Sequence, residues 1–273
     1  MKHIDISSLI EAYRSLNLDQ VIDHDKFNQY AITHHSTSIE GSTLTANETQ
    51  MLLDEGVTPA GKPLLHSLMV KDHFQALQYV LKMSGARSPV STETIKIINA
   101  LVFKHTGIVY ETVFGSIDAS KGEFRKGNVQ AGGTYFINYD KVIPYTEVLT
   151  EKLRDQMTKD LTMGEQIELG FSAHFDLVTI HPFYDSNGRT SRLLMNYIQG
   201  YYNLPLAIVF TEDKALYFEA LQQTRKQQNK AVFYDFMYSQ YGKRLQNEID
   251  GYQAMMKEDR LPPDTGKGFS LFF

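Results

Sequence analysis

Apolar residues recur at spacings of three and four along most of the chain, the pattern of helices that each bury one face. Between residues 164 and 180, Ile167, Phe171, His174 or Phe175, and Val178 fall on one such face. Residues 62–83, 91–105, 144–159, 189–201, 213–227 and 230–250 read the same way. Pro89 and Ser91 mark a loop and an N-cap before TETIKIINALVF. Nearer the N-terminus, HHSTSIEGSTLTANET reads as the end of a helix that stops at Gly41, where a left-handed cap suits glycine. Thr45 and Glu48 then make a capping box for the next helix. The expected fold is mainly α, a helical bundle.

One region departs from this period. Residues 114–143 are rich in glycine and carry short Val, Tyr, Phe and Ile clusters. Within them GNVQAGGTYFINY reads as a strand, a Gly-Gly turn and a second strand, a small β-hairpin. No linker is long enough to split the chain into separate units.

The chemistry gathers where two predicted helices meet. A helix ends near Ile180, the loop HPFYDSNG follows, and a new helix begins near Gly188 or Arg189. Asn187 and Gly188 tolerate tight turns that expose amide N–H groups, and a helix N-terminus adds partial positive charge, so the loop suits a diphosphate or triphosphate. Arg189 and Arg192 share a face on the first turn. Two cations there oppose the helix dipole by a few tenths of a kcal/mol each, which points to a bound anion as their purpose. Asp185 supplies a hard oxygen of the kind Mg2+ takes alongside substrate phosphates. His181 lies at the loop's entrance, placed to take a proton, and Phe183 anchors the loop. Each residue alone also has a plain structural role, and only their order and spacing set the constellation apart.

Composition narrows the class. The 273 residues carry a net charge of −5 and no basic aromatic patch, which disfavours nucleic acid as partner. The absence of cysteine excludes disulfides and thiolate metal sites and suits a reducing cytoplasm. The sequence MKHIDISSLIEAYRSL, with Asp5 and Glu11, does not read as a signal peptide, and no apolar run is long enough to span a membrane. His34 and His35, and the pair His66 and His73, lack companion ligands and read as surface or core histidines. The terminal LPPDTGKGFSLFF reads as an irregular tail.

Residues 181–192, HPFYDSNGRTSR, resemble the Fic family motif HPFx(D/E)GNGRxxR, with Ser186 where glycine is usual. Serine keeps the backbone N–H of an anion cradle but costs more than glycine if φ is positive there. The resemblance extends to GEFRKGNVQAGGTYFINYDKVIPYTEVL at 122–149, to YFEALQQTRKQQNKAVFYDFM at 217–237, and to the run from Ser38 to Thr45, so it covers about residues 33–240. It implies three parts: an N-terminal helical region over 1–60, a core over 61–250 with a flap hairpin at about 129–139, and a tail over 251–273.

The resemblance implies a protein adenylyltransferase, with ATP as substrate and Mg2+ as cofactor. His181 would be the general base. Asp185, Ser186, Asn187, Gly188, Arg189 and Arg192 would hold the phosphates and Asp185 the metal, with Tyr217 and Asn229 near the base. The flap residues Val129, Gly132, Gly133, Thr134 and Tyr135 would pair with a target polypeptide as an added strand, and a Tyr, Thr or Ser hydroxyl would accept AMP. Ser36–Gly41 fits the family's inhibitory pattern (S/T)xxxE(G/N), in which Ser36 and Glu40 would close the site by a bidentate Glu40–Arg192 pair. Members of this type are often dimeric, so a homodimer and self-modification are expectations too. The alternatives on the same residues are removal of AMP, transfer of another phosphate-containing group, and a non-catalytic module that binds peptide and nucleotide.

Overall fold

The computed structural model describes residues 5–18 and 24–258. Ten helices account for most of them: α1 (Ile6–Ser15), α2 (His24–Ile39), α3 (Ala46–Asp54), α4 (Leu64–Gly85), α5 (Thr92–Val102), α6 (Val142–Met157), α7 (Met163–Ile180), α8 (Asn187–Tyr201), α9 (Lys214–Gln227) and α10 (Ala231–Glu258). Four short strands form two antiparallel hairpins, β1 (Val109–Thr112) with β2 (Gly115–Asp118) and β3 (Gln130–Ala131) with β4 (Thr134–Tyr135). Among the described residues, no helix is long and apolar enough to cross a membrane.

The helix starts follow local chemistry. Thr45 with Glu48, Ser91 with Thr94, and Thr162 with Glu165 each close a capping box at the head of α3, α5 and α7. Gly132 and Gly133 both take positive φ, as a two-residue hairpin turn demands, and connect β3 to β4. The hairpin β1–β2 is an addition to the sequence-based expectation. Its turn is made by Val113 and Phe114, which are exposed, so the usual turn residues are missing at its tip. At the other end, α10 continues past residue 250 to Glu258, so the first part of the expected tail is helical; LPPDTGKGFSLFF lies outside the described residues.

The spine of the bundle is α7 and α8, joined by six residues. Helix α7 is buried on two sides. Leu169, Ala173, Leu177 and Ile180 face a core shared with α4, α5, α6 and α8. Ile167, Phe171, Phe175 and Val178 face a second core with α1, α9 and α10. Each such fully buried side chain contributes about 1.5–3 kcal/mol. Helix α8 is buried at every residue from Arg189 to Gln199. Two of its polar side chains find partners inside the fold: Asn196 exchanges two hydrogen bonds with the backbone of Ala207, and Thr190 accepts one from Asn99. The α7–α8 loop is thereby fixed at the centre of the molecule, with α2 and α9 close beside it.

Candidate active site

Helix α7 stops because His181 adopts the left-handed conformation, with φ of +53°, its N–H still bonded to Leu177 O. The ring then packs flat on Phe136, with centroids 3.7 Å apart and 17° between planes. Its Nδ1 lies 3.3 Å from the Val178 carbonyl, which can only accept, so Nδ1 carries the hydrogen and Nε2 keeps its lone pair. Burial is the main force on the ring's proton affinity. Against the upward pull of the Val178 hydrogen bond, and helped by the charges of Arg125 and Arg225, it lowers the pKa from 6.5 to about 4. His181 is thus neutral, and competent as a base, at neutral pH. In an NMR titration the ring is expected to protonate near pH 4. Since the unfolded chain protonates this histidine near 6.5, the stability contributed by the neutral ring is fully present above that pH and is lost as pH falls towards 4. A midpoint near 6.5 in the folded protein would show that the ring is not buried as described.

The loop after His181 is braced from within and from outside. Asn187 accepts the Phe183 N–H at 3.0 Å and donates one Nδ2 hydrogen to the Phe183 carbonyl at 2.9 Å, so its side chain shapes the loop. Arg125 is 2% exposed and donates to three carbonyls: His181 and Gly127 at 2.8 Å each, and Ile137 at 2.5 Å. Together with its backbone bond to Pro182 O, this ties the loop to both ends of the β3–β4 hairpin. Ser186 has φ of +63°, and its hydroxyl is buried without a partner. Glycine adopts that backbone freely. Ser186→Gly is therefore expected to stabilise the protein by about 0.5–1 kcal/mol, a rise of roughly 1–4 °C in melting temperature. A fall in melting temperature would mean that the serine has a partner of its own. Asp185 is exposed, and its Oδ1 accepts the Ser186 amide.

Helix α2 reaches this site from the other side. Arg192, 4% exposed, donates from Nε to Ser36 Oγ and from Nη2 to Ser36 O, each at 2.9 Å. Nη2 also meets Glu40 Oε1 at 2.8 Å, and Nη1 lies 3.4 Å from the Tyr217 hydroxyl. The contact with Glu40 is therefore single-pointed, not the bidentate pair expected: Ser36 takes Nε and shares Nη2, while Nη1 faces the Tyr217 hydroxyl. Burial pushes the Glu40 carboxyl upward, but the Arg192 charge, followed by that of Arg189, outweighs it and holds the group below the ordinary carboxylate range. The same carboxylate lies on Gly188: a Cβ at that position would come within 2.6 Å of Glu40 Oε1. Glu40 thus covers the first turn of α8, where an anion would bind.

The remaining site residues separate. Arg189 is buried over the Phe103 ring, with Nε and Nη1 unpartnered, so its donors await a ligand. Tyr217 is buried beside Arg192, its hydroxyl 3.0 Å from His174 Nε2. Asn229 stands on the surface, where its Oδ1 accepts the Ala231 N–H at the start of α10. Val129 accepts the Phe136 N–H, extending the β3–β4 pairing; Gly132 and Gly133 form its tip, and Tyr135 is fully exposed beside the partly buried Thr134. His73 is a core residue near both arginines, with burial keeping its ring neutral. Sequence reasoning gave no role to Arg125, Phe136 or Arg225. Only the position of Arg125 in the segment Gly122–Arg125 could have signalled it.

Comparison with known proteins adds the relationships. Residues 89–199 match the Fic/DOC family. A protein adenylyltransferase Fic from Nematostella vectensis is 31% identical over 195 residues, which is 70% of this chain and 42% of that protein. The protein adenylyltransferase fic-1 of Caenorhabditis elegans is 28% identical over 195 residues, 70% of this chain and 36% of its own length. The chain thus spans less than half the length of these relatives. Among solved structures, a Fic-domain-containing signalling protein from Bacteroides thetaiotaomicron superposes with a TM-score of 0.78 at 22% identity, covering 91% of this chain and 98% of that one. Fic-1 from C. elegans gives 0.69 at 21% identity, covering 90% of this chain and 70% of that one. At these identities the structures share the fold.

Proposed function

Because this chain belongs to the Fic/DOC family, with residues 89–199 as the matching domain, we propose that it is a protein adenylyltransferase closed at rest by Glu40. The observation that carries this reading is the placement of a neutral His181 at one end of the loop and of Arg192, held by Ser36 and Glu40, at the other. The relatives named protein adenylyltransferase support the same activity.

With Glu40 displaced, ATP lays its phosphates along residues 185–189 and the start of α8. The backbone N–H groups of the first turn and the unpartnered donors of Arg189 hold them, and Arg192 takes the γ-phosphate. A Tyr, Thr or Ser hydroxyl of the target attacks the α-phosphorus while His181 Nε2 accepts its proton. The bond from the α-phosphorus to the bridging oxygen breaks, pyrophosphate leaves, and AMP remains esterified to the target. Asp185 fits Mg2+, which takes one carboxylate with phosphate oxygens and water, and the cation would neutralise phosphate charge. The β3–β4 hairpin, with exposed strand edges, offers the target backbone a pairing partner. Target protein, self-modification, homodimer formation and a cytoplasmic setting, which the lack of cysteine suits, are all part of this proposal.

Intact-mass measurement after incubation with ATP and Mg2+ tests it. The Glu40→Gly protein, with or without a lysate, is expected to yield an AMP adduct on itself or a lysate protein. Adding His181→Ala should lower the rate about 10²–10⁴-fold, the usual contribution of a general base. Unchanged labelling by the His181→Ala protein would sink the mechanism.

One observation favours a second reaction at the same residues. Glu40 meets Arg192 through a single oxygen and keeps its side chain a quarter exposed. Such a carboxylate can orient a water towards an AMP ester. AMP released from an AMPylated protein by the wild type, and lost in Glu40→Gly, would identify removal as the reaction.

A further inference from the structure

We infer that Phe136 and Arg225 are positioning residues for His181, fixing the imidazole so that Nε2 is its basic nitrogen and linking that state to the β3–β4 hairpin. The inference rests on the reading of His181 as the base. Its grounds are three contacts that the family motif does not contain.

Phe136 follows β4 directly and stacks on the His181 ring at 3.7 Å. The Arg225 guanidinium packs over the same phenyl ring, its carbon 5.6 Å from the centroid. Arg225 Nη2 also approaches the Val178 carbonyl at 3.4 Å, the acceptor that His181 Nδ1 meets at 3.3 Å. Its Nε reaches Thr179 Oγ1 at 3.3 Å. Val178 lies in the last turn of α7, where carbonyls lack helical partners and can accept more than one donor. One carbonyl therefore serves both the imidazole and the guanidinium, and one phenyl ring touches both.

Each contact removes a freedom of the base. The hydrogen bond to Val178 O selects the tautomer with hydrogen on Nδ1. The stack on Phe136 sets the ring plane. Arg225, half-buried and cationic beside the ring, opposes its protonation and anchors the Val178 carbonyl from the other donor side. Because Phe136 N–H bonds Val129 O across the hairpin, a strand docking along β3–β4 acts on the residue that aims the base. Binding of the target backbone and alignment of the proton acceptor are thus coupled through one side chain.

The test reads the imidazole directly. In protein labelled with 15N at histidine, long-range 1H–15N spectra report which ring nitrogen of His181 carries hydrogen. The parent protein is expected to show the Nδ1–H form alone. Phe136→Ala and Arg225→Met are each expected to show a mixture of both tautomers, while Phe136→Tyr, which keeps the stack, restores the parent spectrum. In the Glu40→Gly background, Phe136→Ala should lower kcat by roughly 10²-fold, the scale of a misplaced reacting group, with KM for ATP unchanged. Parent-like spectra for both Phe136→Ala and Arg225→Met would overturn the inference. Mixed tautomers in those variants, combined with no AMP transfer by the Glu40→Gly parent, would uphold the clamp and reject adenylyl transfer instead.

Discussion

Glu40→Gly is expected to raise the initial rate of AMP incorporation roughly ten- to a hundredfold over the wild type, because a hydrogen bond between charged groups is worth about 1.5–3 kcal/mol. Two effects act together. The carboxylate occupies a donor of Arg192 that a phosphate would use, and it sits against Gly188, on the backbone that would cradle that phosphate. Glu40→Gln separates them: it keeps the bulk and removes the charge, so its rate should fall between the two. The gain has a cost in stability of about 1–2 kcal/mol, since Arg192 keeps Ser36 and Tyr217 but loses its counter-charge. The pH dependence follows from the depressed carboxyl. The latch is intact above the ordinary carboxylate range and weakens only as pH falls through the lowered value, so mild acid does not activate the wild type. Equal rates for wild type and Glu40→Gly at saturating ATP would remove Glu40 from any inhibitory role.

The largest loss of stability is expected from Arg125→Met. The side chain volume is nearly kept, but the carbonyls of His181, Gly127 and Ile137 lose their charged donor in a site that is 2% exposed. The cost should be about 3 kcal/mol or more, or roughly 6–12 °C in melting temperature. Hydrogen exchange places the effect: amides of residues 127–139 and of the loop after His181 should lose protection, while the α4–α5 core should not. Uniform loss of protection across the chain would mean that Arg125 supports the fold at large and not the junction of loop and hairpin. A loss below about 1 kcal/mol would mean that water replaces it.

The helices were legible in the sequence because each buries a stripe at helical spacing and opens on a side chain that caps it, as Thr45, Ser91 and Thr162 do. The β3–β4 hairpin was legible through its two glycines. The β1–β2 hairpin was not, since Val113 and Phe114 at its turn look like core residues and are in fact exposed. The functional loop was recognisable from its order of residues, and the penalty attached to Ser186 was foreseeable from the glycine it replaces. The division of labour inside the loop was hidden. Asn187 looks like a phosphate ligand, yet its amide also braces the backbone of Phe183 four residues earlier. The single-pointed grip on Glu40 accompanies Ser36 on Nε and Nη2 and Tyr217 on Nη1, which is a matter of helix rotation that spacing alone does not decide. Arg125 and Arg225 act on carbonyls distant in sequence, and carbonyls leave no trace in side-chain patterns.

Helix α2 ends at Ile39, one residue before the carboxylate that covers the site. Ser36 lies on the rigid shaft of the helix, and Glu40 on the short turn beyond it, followed by Gly41 with φ of +102° and open space around it. The two fastenings of Arg192 are therefore mechanically unequal. The serine can stay in place and keep the guanidinium aimed while the glutamate swings out beside Gly41, whose own position is uncrowded. On the proposed reading of Glu40, activation would need only the fraying of a terminal turn, among the smallest and fastest conformational changes available to a folded chain, and would leave α2 packed where it was. An activating signal would have to bend one loop, not lift a helix.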